Sequence, residues 1–434
     1  MKKKEKRLKG KNSEFVAHPV FGEGVVVATR WDEEETQVKF RSGLCLWLPS
    51  KWLKQIPASD INLDRVSCKR LLEAFRLGVV PHQDIEYFTF GRAYEINEIK
   101  QSLRGLKNGK GDVFLIEGSY GSGKTHLLEY ARHLSLKQGY VTTYCELSTQ
   151  ETPLFRPKRV YRELIHNLRY IRKGREYCFR DLLRMVSRFK IDDHCFFTPL
   201  LKKIKEIDHG SLESEVFWQW VEGESTKNYA VTPDAPFRIR GAQKIPALYD
   251  FSTAGDFYSY LLTGLSFLIN RAGLGGLVII LDEVETITHI WNYAAYSRGL
   301  SFLEGLIHAA FDTKTFKRID THLVHNQVRP TPYLYKESHI FLILAMTPVQ
   351  GIRSIENVIN LIKKGFFLRR FSKAEYEVIF DNLIKVYRCA YPWFSLDRGQ
   401  RENIFSAALH RGEGELREFI KFSVEAFDWL RLKR

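Results

Sequence analysis

No apolar run in this 434-residue sequence approaches the roughly 20 residues needed to span a bilayer, so no transmembrane helix is expected. The six cysteines (Cys45, Cys68, Cys145, Cys178, Cys195 and Cys389) include no C-x-x-C pair. Their scatter argues against a disulfide framework and a zinc site, and for a reducing, cytoplasmic setting. The basic opening Met1-Lys2-Lys3-Lys4 has no apolar segment behind it, unlike a secretory signal. Acidic charge is in short supply: 51 Asp and Glu stand against 66 Lys and Arg, a net charge of +15. That excess favours a polyanionic partner, because neutralising phosphates releases condensed counterions. DNA is the expected partner, although ATP binding or solubility accounts for the same balance. Hydrophobic residues are plentiful at 44%, enough for a large core, and the length has room for two or three domains.

The most informative stretch is Asp112 to His126. Val113, Phe114, Leu115 and Ile116 are an unbroken apolar run, as in a strand buried on both faces. Gly118, Ser119, Tyr120, Gly121, Ser122, Gly123, Lys124 and Thr125 then match G-x-x-x-x-G-K-[ST] in full, and Leu127, Leu128, Ala131 and Leu134 follow at helical spacing. Strand, glycine loop and helix is the context this motif requires. The glycines let successive N–H groups point at phosphate oxygens, and the helix N-terminus adds its positive dipole. These residues, with His126 beside them, form the expected nucleotide-binding set. Lys124 is placed to reach the β- and γ-phosphates of ATP, and Thr125 to offer its hydroxyl to Mg²⁺.

A second half-site lies far downstream. Gly276 to Leu281 is an apolar run leading into Asp282 and Glu283. A strand ending there presents Asp282 for Mg²⁺ and Glu283 to polarise an attacking water. Between the halves, Tyr140–Leu147 reads as a strand and about 154–252 as a long insertion. From Arg156 to Lys190 the insertion interleaves Arg and Lys with Tyr161, Tyr170, Tyr177, Phe179 and Phe189. Such a pattern suits a surface that tracks phosphates and stacks bases, and equally an amphipathic helix pair with a solvated basic face. Residues 228–245 read as an exposed loop. A further strand is expected over His339–Pro348 and another from Gly365 to Phe371, carrying Arg369 and Arg370. Ser372-x-x-Glu375 is a capping box opening a helical C-terminal region.

At the other end, residues 1–12 read as a disordered basic tail. Residues 13–56 hold short strand-like runs (Val25–Val27, Gln37–Phe40, Leu44–Leu48) that suggest a small β-barrel. The pattern His18-Pro-x-Phe21-Gly22-x-Gly24, then Val38-x-Phe40-x-x-Gly43, resembles the Tudor-like module at the end of UvrD-type helicases, which implies contact with a protein partner.

Phe90-Gly91-Arg92-x-x-Glu95, about 25 residues before the loop, resembles the lead-in segment of AAA+ proteins of the origin-recognition and STAND type. The likeness implies that Phe90, Gly91 and Arg92 lie on the adenine side; a plain helix cap uses the same letters. It also implies a sensor 1 residue at Thr347, a sensor 2 arginine at Arg417 in the segment Gly412–Phe419, and an arginine supplied in trans, with Arg353 ranked ahead of Arg369 and Arg370. Several segments, among them Tyr120–His126, Phe155–Tyr161, Trp218–Gly223 and Leu281–Glu285, are similar to the ATP-binding proteins of bacteriophage exclusion (BREX) systems of the BrxD type. The expected architecture is therefore α/β: an AAA+ P-loop core over 68–371, a helical lid over 372–434, and the small all-β unit in front. The resemblance implies an anti-phage ATPase, a homo-oligomer acting with a helicase or other defence protein. A nucleotide-gated regulatory switch of the STAND or transposition type, with little turnover, is the alternative; the lid and the two sensors argue against a small-molecule kinase.

Overall fold

The computed structural model describes residues 6–7, 15–18, 20–30, 34–40, 44–56, 63–82, 84–207, 210, 212–224, 248, 255–314, 331–349, 351–412 and 415–433. They form two compact units: residues 1–91 with 370–434, and residues 92–369.

The first unit opens with an antiparallel sheet of six short strands: β1 (Lys6–Arg7), β2 (Phe15–His18), β3 (Gly22–Arg30), β4 (Glu35–Phe40), β5 (Cys45–Pro49) and β6 (Lys54–Ile56). Their order is β5-β4-β3-β2-β6, with β1 also on β3. The outermost strands β5 and β6 are joined only by the short turn Ser50–Trp52 and Leu53. Five strands laid flat would put those edges about 19 Å apart at ~4.8 Å per step, further than so short a link reaches, so the sheet curls. Val16, Val26, Val38, Phe40 and Leu48 fill its inside.

Helix α1 (Arg65–Leu77) starts where Asp64 accepts a bond from the Ser67 N–H at 2.7 Å and stops at Gly78 in the left-handed region, as expected of such a cap. Its buried face (Cys68, Leu71, Leu72, Phe75) packs with the C-terminal helices introduced below.

The second unit begins with α2 (Ala93–Lys107) and alternates through β7 (Asp112–Gly118), α3 (Lys124–Lys137) and β8 (Val141–Glu146). The insertion contributes α4 (Pro157–His166), the hairpin β9 (Tyr170–Arg172) and β10 (Arg175–Tyr177), α5 (Phe179–Val186), α6 (Phe197–Glu206) and α7 (Leu212–Val221). Then follow α8 (Gly255–Arg271), β11 (Leu277–Asp282), α9 (Tyr293–Ala310), β12 (Ile340–Met346), the short α10 (Arg353–Ile359) and β13 (Lys364–Leu368). All five long strands are parallel, ordered β13-β7-β12-β11-β8. Numbered along the chain that is 5-1-4-3-2, and the fold is α/β with a parallel sheet. β11 and β12 are buried at every position, which is why their sequences run apolar without alternation.

Two expectations change here. Tyr161, Tyr170 and Phe179 are no more than 2% exposed, and Phe189 packs against the same core. The aromatics of the insertion are therefore core residues of an amphipathic set, not a base-stacking surface. The last strand ends at Leu368, opposite Gly118 where its partner β7 turns away, so Arg369 and Arg370 lie beyond the sheet instead of on it. The stretch 228–245 lies outside the described residues.

The chain returns to the first unit with α11 (Lys373–Ala390), α12 (Arg398–Gly412) and α13 (Leu416–Leu432). The capping box forms: Glu375 Oε2 accepts from the Ser372 N–H at 2.7 Å and Ser372 Oγ from the Glu375 N–H at 3.4 Å. Tyr376, Ile379, Phe380, Leu383 and Tyr387 close on Phe405, Phe419 and Phe427.

Candidate functional site

In a parallel sheet the C-terminal strand ends share one edge, and functional groups gather there. Register fixes which ones: Glu117 sits opposite Met346 and Asp282 opposite Glu146. The glycine loop after β7, the acids after β11 and Thr347 after β12 therefore meet.

The loop turns sharply between Gly118 and α3. Gly121 (φ 75°) and Gly123 (φ 92°) adopt left-handed backbone, and a side chain at Gly118 would run into Ser122 Oγ. Helix α3 then starts at Lys124, which is 7% exposed. Its ammonium donates to Gly118 O at 2.9 Å, Ser119 O at 3.4 Å and Thr347 Oγ1 at 3.2 Å. Three rotatable N–H donors thus lie inside the loop, joined directly to Thr347. Ser122 Oγ is buried and has no hydrogen-bond partner among the described residues, a polar atom left over in the fold of the loop.

Asp282 is 2% exposed and tightly bound. Its Oδ2 accepts from Thr125 Oγ1 at 3.1 Å and from the Tyr144 hydroxyl at 3.0 Å; its Oδ1 accepts from the Glu283 N–H at 2.9 Å. Burial raises its pKa, opposed by those three donors and by the charge of Lys124. Glu283 occupies left-handed backbone at φ 58°, a conformation that costs a non-glycine residue about 1–3 kcal/mol. Its pKa is raised too, first by burial and then by Glu285 and Asp282. A carboxylate held near two others is a better proton acceptor than a free one.

Arg92 is firmly held by its neighbours. It is buried just before α2, with Nη2 donating to Ser122 O at 2.8 Å and to Arg369 O at 3.4 Å, and Nη1 3.2 Å from Glu95 Oε1. It fastens the glycine loop to the end of the last strand. His126 nearby is pushed down to about pKa 4, chiefly by burial and then by the Arg92 charge. Lys124, Thr125, His126, Asp282, Glu283, Thr347 and Arg92 are thus assembled in one unit. Phe90, Gly91 and Arg417 belong to the other: Phe90 packs edge-on to Phe88, Gly91 is left-handed at φ 66°, and Arg417 lies exposed on α13 with its stem beside Gly78. Arg353 is exposed as the first residue of α10.

Tyr144 was not singled out by sequence. A signal existed, since a buried tyrosine needs a hydroxyl partner, but its partner follows only from β8 lying beside β11.

Residues 64–186 match the family model of the BREX system ATP-binding protein BrxC/D. The match takes in α1, the glycine loop and the insertion as far as α5. No curated protein matches the chain. Among solved structures, the Aeropyrum pernix ORC1 protein in complex with DNA is similar at 12% identity and a TM-score of 0.40, over 83% of this chain and 65% of that one. The chain therefore spans a little under two thirds of that protein's length. A chain of the E. coli MS115-1 HORMA:CdnC:Trip13 complex is similar at 8% identity and a TM-score of 0.34, over 75% of this chain and 76% of that one. The family match starts at residue 64, so it lends no support to a Tudor-like identity for residues 13–56.

Among the described residues no group of three or more His, Cys, Asp and Glu could hold a metal by itself, and no helix is long and apolar enough to cross a membrane. The oxygen pair Thr125–Asp282 nonetheless suits Mg²⁺, which keeps several waters and takes its remaining ligands from substrate phosphates.

Proposed function

We propose that this chain is an ATP-hydrolysing AAA+ protein of a prokaryotic BREX-type defence system. The observation that carries the reading is the convergence of Lys124, Thr125, Asp282, Glu283 and Thr347 at one strand edge, each of them bonded to another member. Lys124 exchanges its contacts with Gly118, Ser119 and Thr347 for the β- and γ-phosphates. Thr125 and Asp282 would hold Mg²⁺, which neutralises phosphate charge when bound. Glu283 orients and polarises the attacking water and takes up its proton. Thr347, released from Lys124, donates to the γ-phosphate or that water. Phe90, Gly91 and Arg92 lie on the adenine side, Arg417 acts as sensor 2, and Arg353 reaches a neighbouring copy's site in a homo-oligomer. The excess of basic charge suits DNA as a partner, the curled sheet at 13–56 serves to dock a helicase or other defence protein, and the setting is cytoplasmic.

Lys124→Ala tests the reading. Removing the fixed charge from the loop should weaken ATP binding and abolish turnover. Hydrolysis at the wild-type rate in this variant would refute it.

A further inference from the structure

The hairpin β9–β10 projects from the insertion. Its register pairs Tyr170 with Tyr177, Ile171 with Glu176 and Arg172 with Arg175. Partners in register share a face and faces alternate, so the tyrosine and arginine pairs lie on the same side. The tyrosines root the hairpin, stacked with centroids 5.3 Å apart and with Tyr170 buried. Arg169 bridges to Thr142 through two backbone bonds of 2.8 and 2.9 Å, which ties the root to β8 at the edge of the parallel sheet. From Ile171 to Glu176 the chain is exposed.

Two features of this tip oppose the stability of the hairpin itself. Arg172 and Arg175 stand directly opposite one another, and like charges so placed repel. Lys173 and Gly174 both have positive φ (51° and 72°), the tight-turn geometry that favours Asn, Asp or Gly at the first position, yet lysine stands there. Both departures add positive charge. Among the described residues, no ion pair neutralises Arg172, Lys173 or Arg175; Glu176 lies 3.3 Å from Arg169 instead. Arg172 Nη1 rests on Met185 Sδ at 2.9 Å, so its head is steadied but its charge is not cancelled. Local rules broken in one direction point to a function that needs that direction.

We propose that this hairpin is a DNA-gripping element, its three cations set on the phosphates of duplex DNA. The proposal rests on the DNA partner of the function given above. A two-stranded ribbon has the shape that a duplex groove admits. Single strands are held by stacking on aromatic faces, and the hairpin's tyrosines are committed to its root.

The test is the salt dependence of binding of the full chain to a duplex oligonucleotide, with ATPase activity measured alongside. If each cation meets one phosphate, Arg172→Gln/Lys173→Gly/Arg175→Gln lowers the slope of log K against log salt by about 2.7. Between about 50 and about 200 mM salt the wild type should then lose about 40-fold more affinity than the variant, by the same slope. Lys173→Gly alone keeps the turn geometry and should lower the slope by about 0.9. Basal ATPase activity should be unchanged in both. A control removing three charges from the helical lid, Lys373→Gln/Lys385→Gln/Arg398→Gln, should leave the slope nearly as in wild type. Unchanged binding in the hairpin variants, or an equal loss in the lid control, overturns the hairpin assignment while DNA remains a partner. A wild type that binds only single strands overturns the duplex assignment. A wild type that binds no DNA overturns this proposal together with the DNA partner, and leaves the ATPase reading standing.

Discussion

His194 gives the structure a built-in dependence on pH. It is fully buried just before α6, and its Nδ1 accepts from the N–H groups of Phe196 at 3.2 Å and Phe197 at 3.0 Å. The rings of Tyr260, Phe197 and Tyr335 surround it at 4.3, 4.7 and 4.7 Å. Protonating Nδ1 would turn an acceptor into a donor facing two donors. Burial accordingly pushes the histidine down to about pKa 3, from an ordinary 6.5. Between those values the unfolded chain binds a proton that the native one does not, so stability rises with pH and is lost as pH falls below 6.5. The loss between about pH 8 and about pH 5 is about 2 kcal/mol, at about 1.4 kcal/mol per unit. The assay is urea unfolding followed by tryptophan fluorescence at a series of pH values. His194→Asn keeps an oxygen acceptor but does not titrate; it should be less stable at every pH because ring contacts are lost. Its stability should nevertheless fall by about 2 kcal/mol less than wild type over the same interval. An identical pH dependence in the two proteins would refute the reasoning.

Tyr144→Phe removes a donor to the charged form of Asp282, a bond worth about 1.5–3 kcal/mol, or about 1–2 pKa units. The Asp282 pKa, already raised by burial, should rise further, so the acid limb of the ATPase pH profile moves up; an unmoved limb counts against the positioning role. Arg92→Met leaves Glu95 and the Ser122 carbonyl without their buried cation and should destabilise by about 3–5 kcal/mol, read as a melting temperature about 10 °C lower. A change below about 1 kcal/mol would show that the glycine loop does not depend on this clamp.

The parts of the site legible in sequence were those whose chemistry depends on local chain conformation. The glycine loop needs left-handed backbone at Gly121 and Gly123, and only glycine takes it freely. The strands before Gly118 and Asp282 are buried on both faces, so their apolar runs name them. The Ser372 capping box is likewise local. What sequence left open depends on partners distant in the chain. Nothing local announces that Arg92 clamps the glycine loop, because it finds its partners 30 and 277 residues away. Tyr144 needed the strand order. The aromatics of the insertion gave the same letters for a stacking surface and for a core; burial of Tyr161, Tyr170 and Phe179 decided between them.

The central claim is that Glu283 serves as the base of an ATP-hydrolysing site whose phosphate and metal ligands lie elsewhere. Glu283→Gln keeps the shape of the side chain, leaves Lys124 for the phosphates and leaves the Thr125–Asp282 pair intact. Steady-state hydrolysis measured beside equilibrium ATP binding should show affinity close to wild type and turnover lower by roughly 10²-fold or more, the usual worth of a positioned base. Turnover at the wild-type rate would contradict the account.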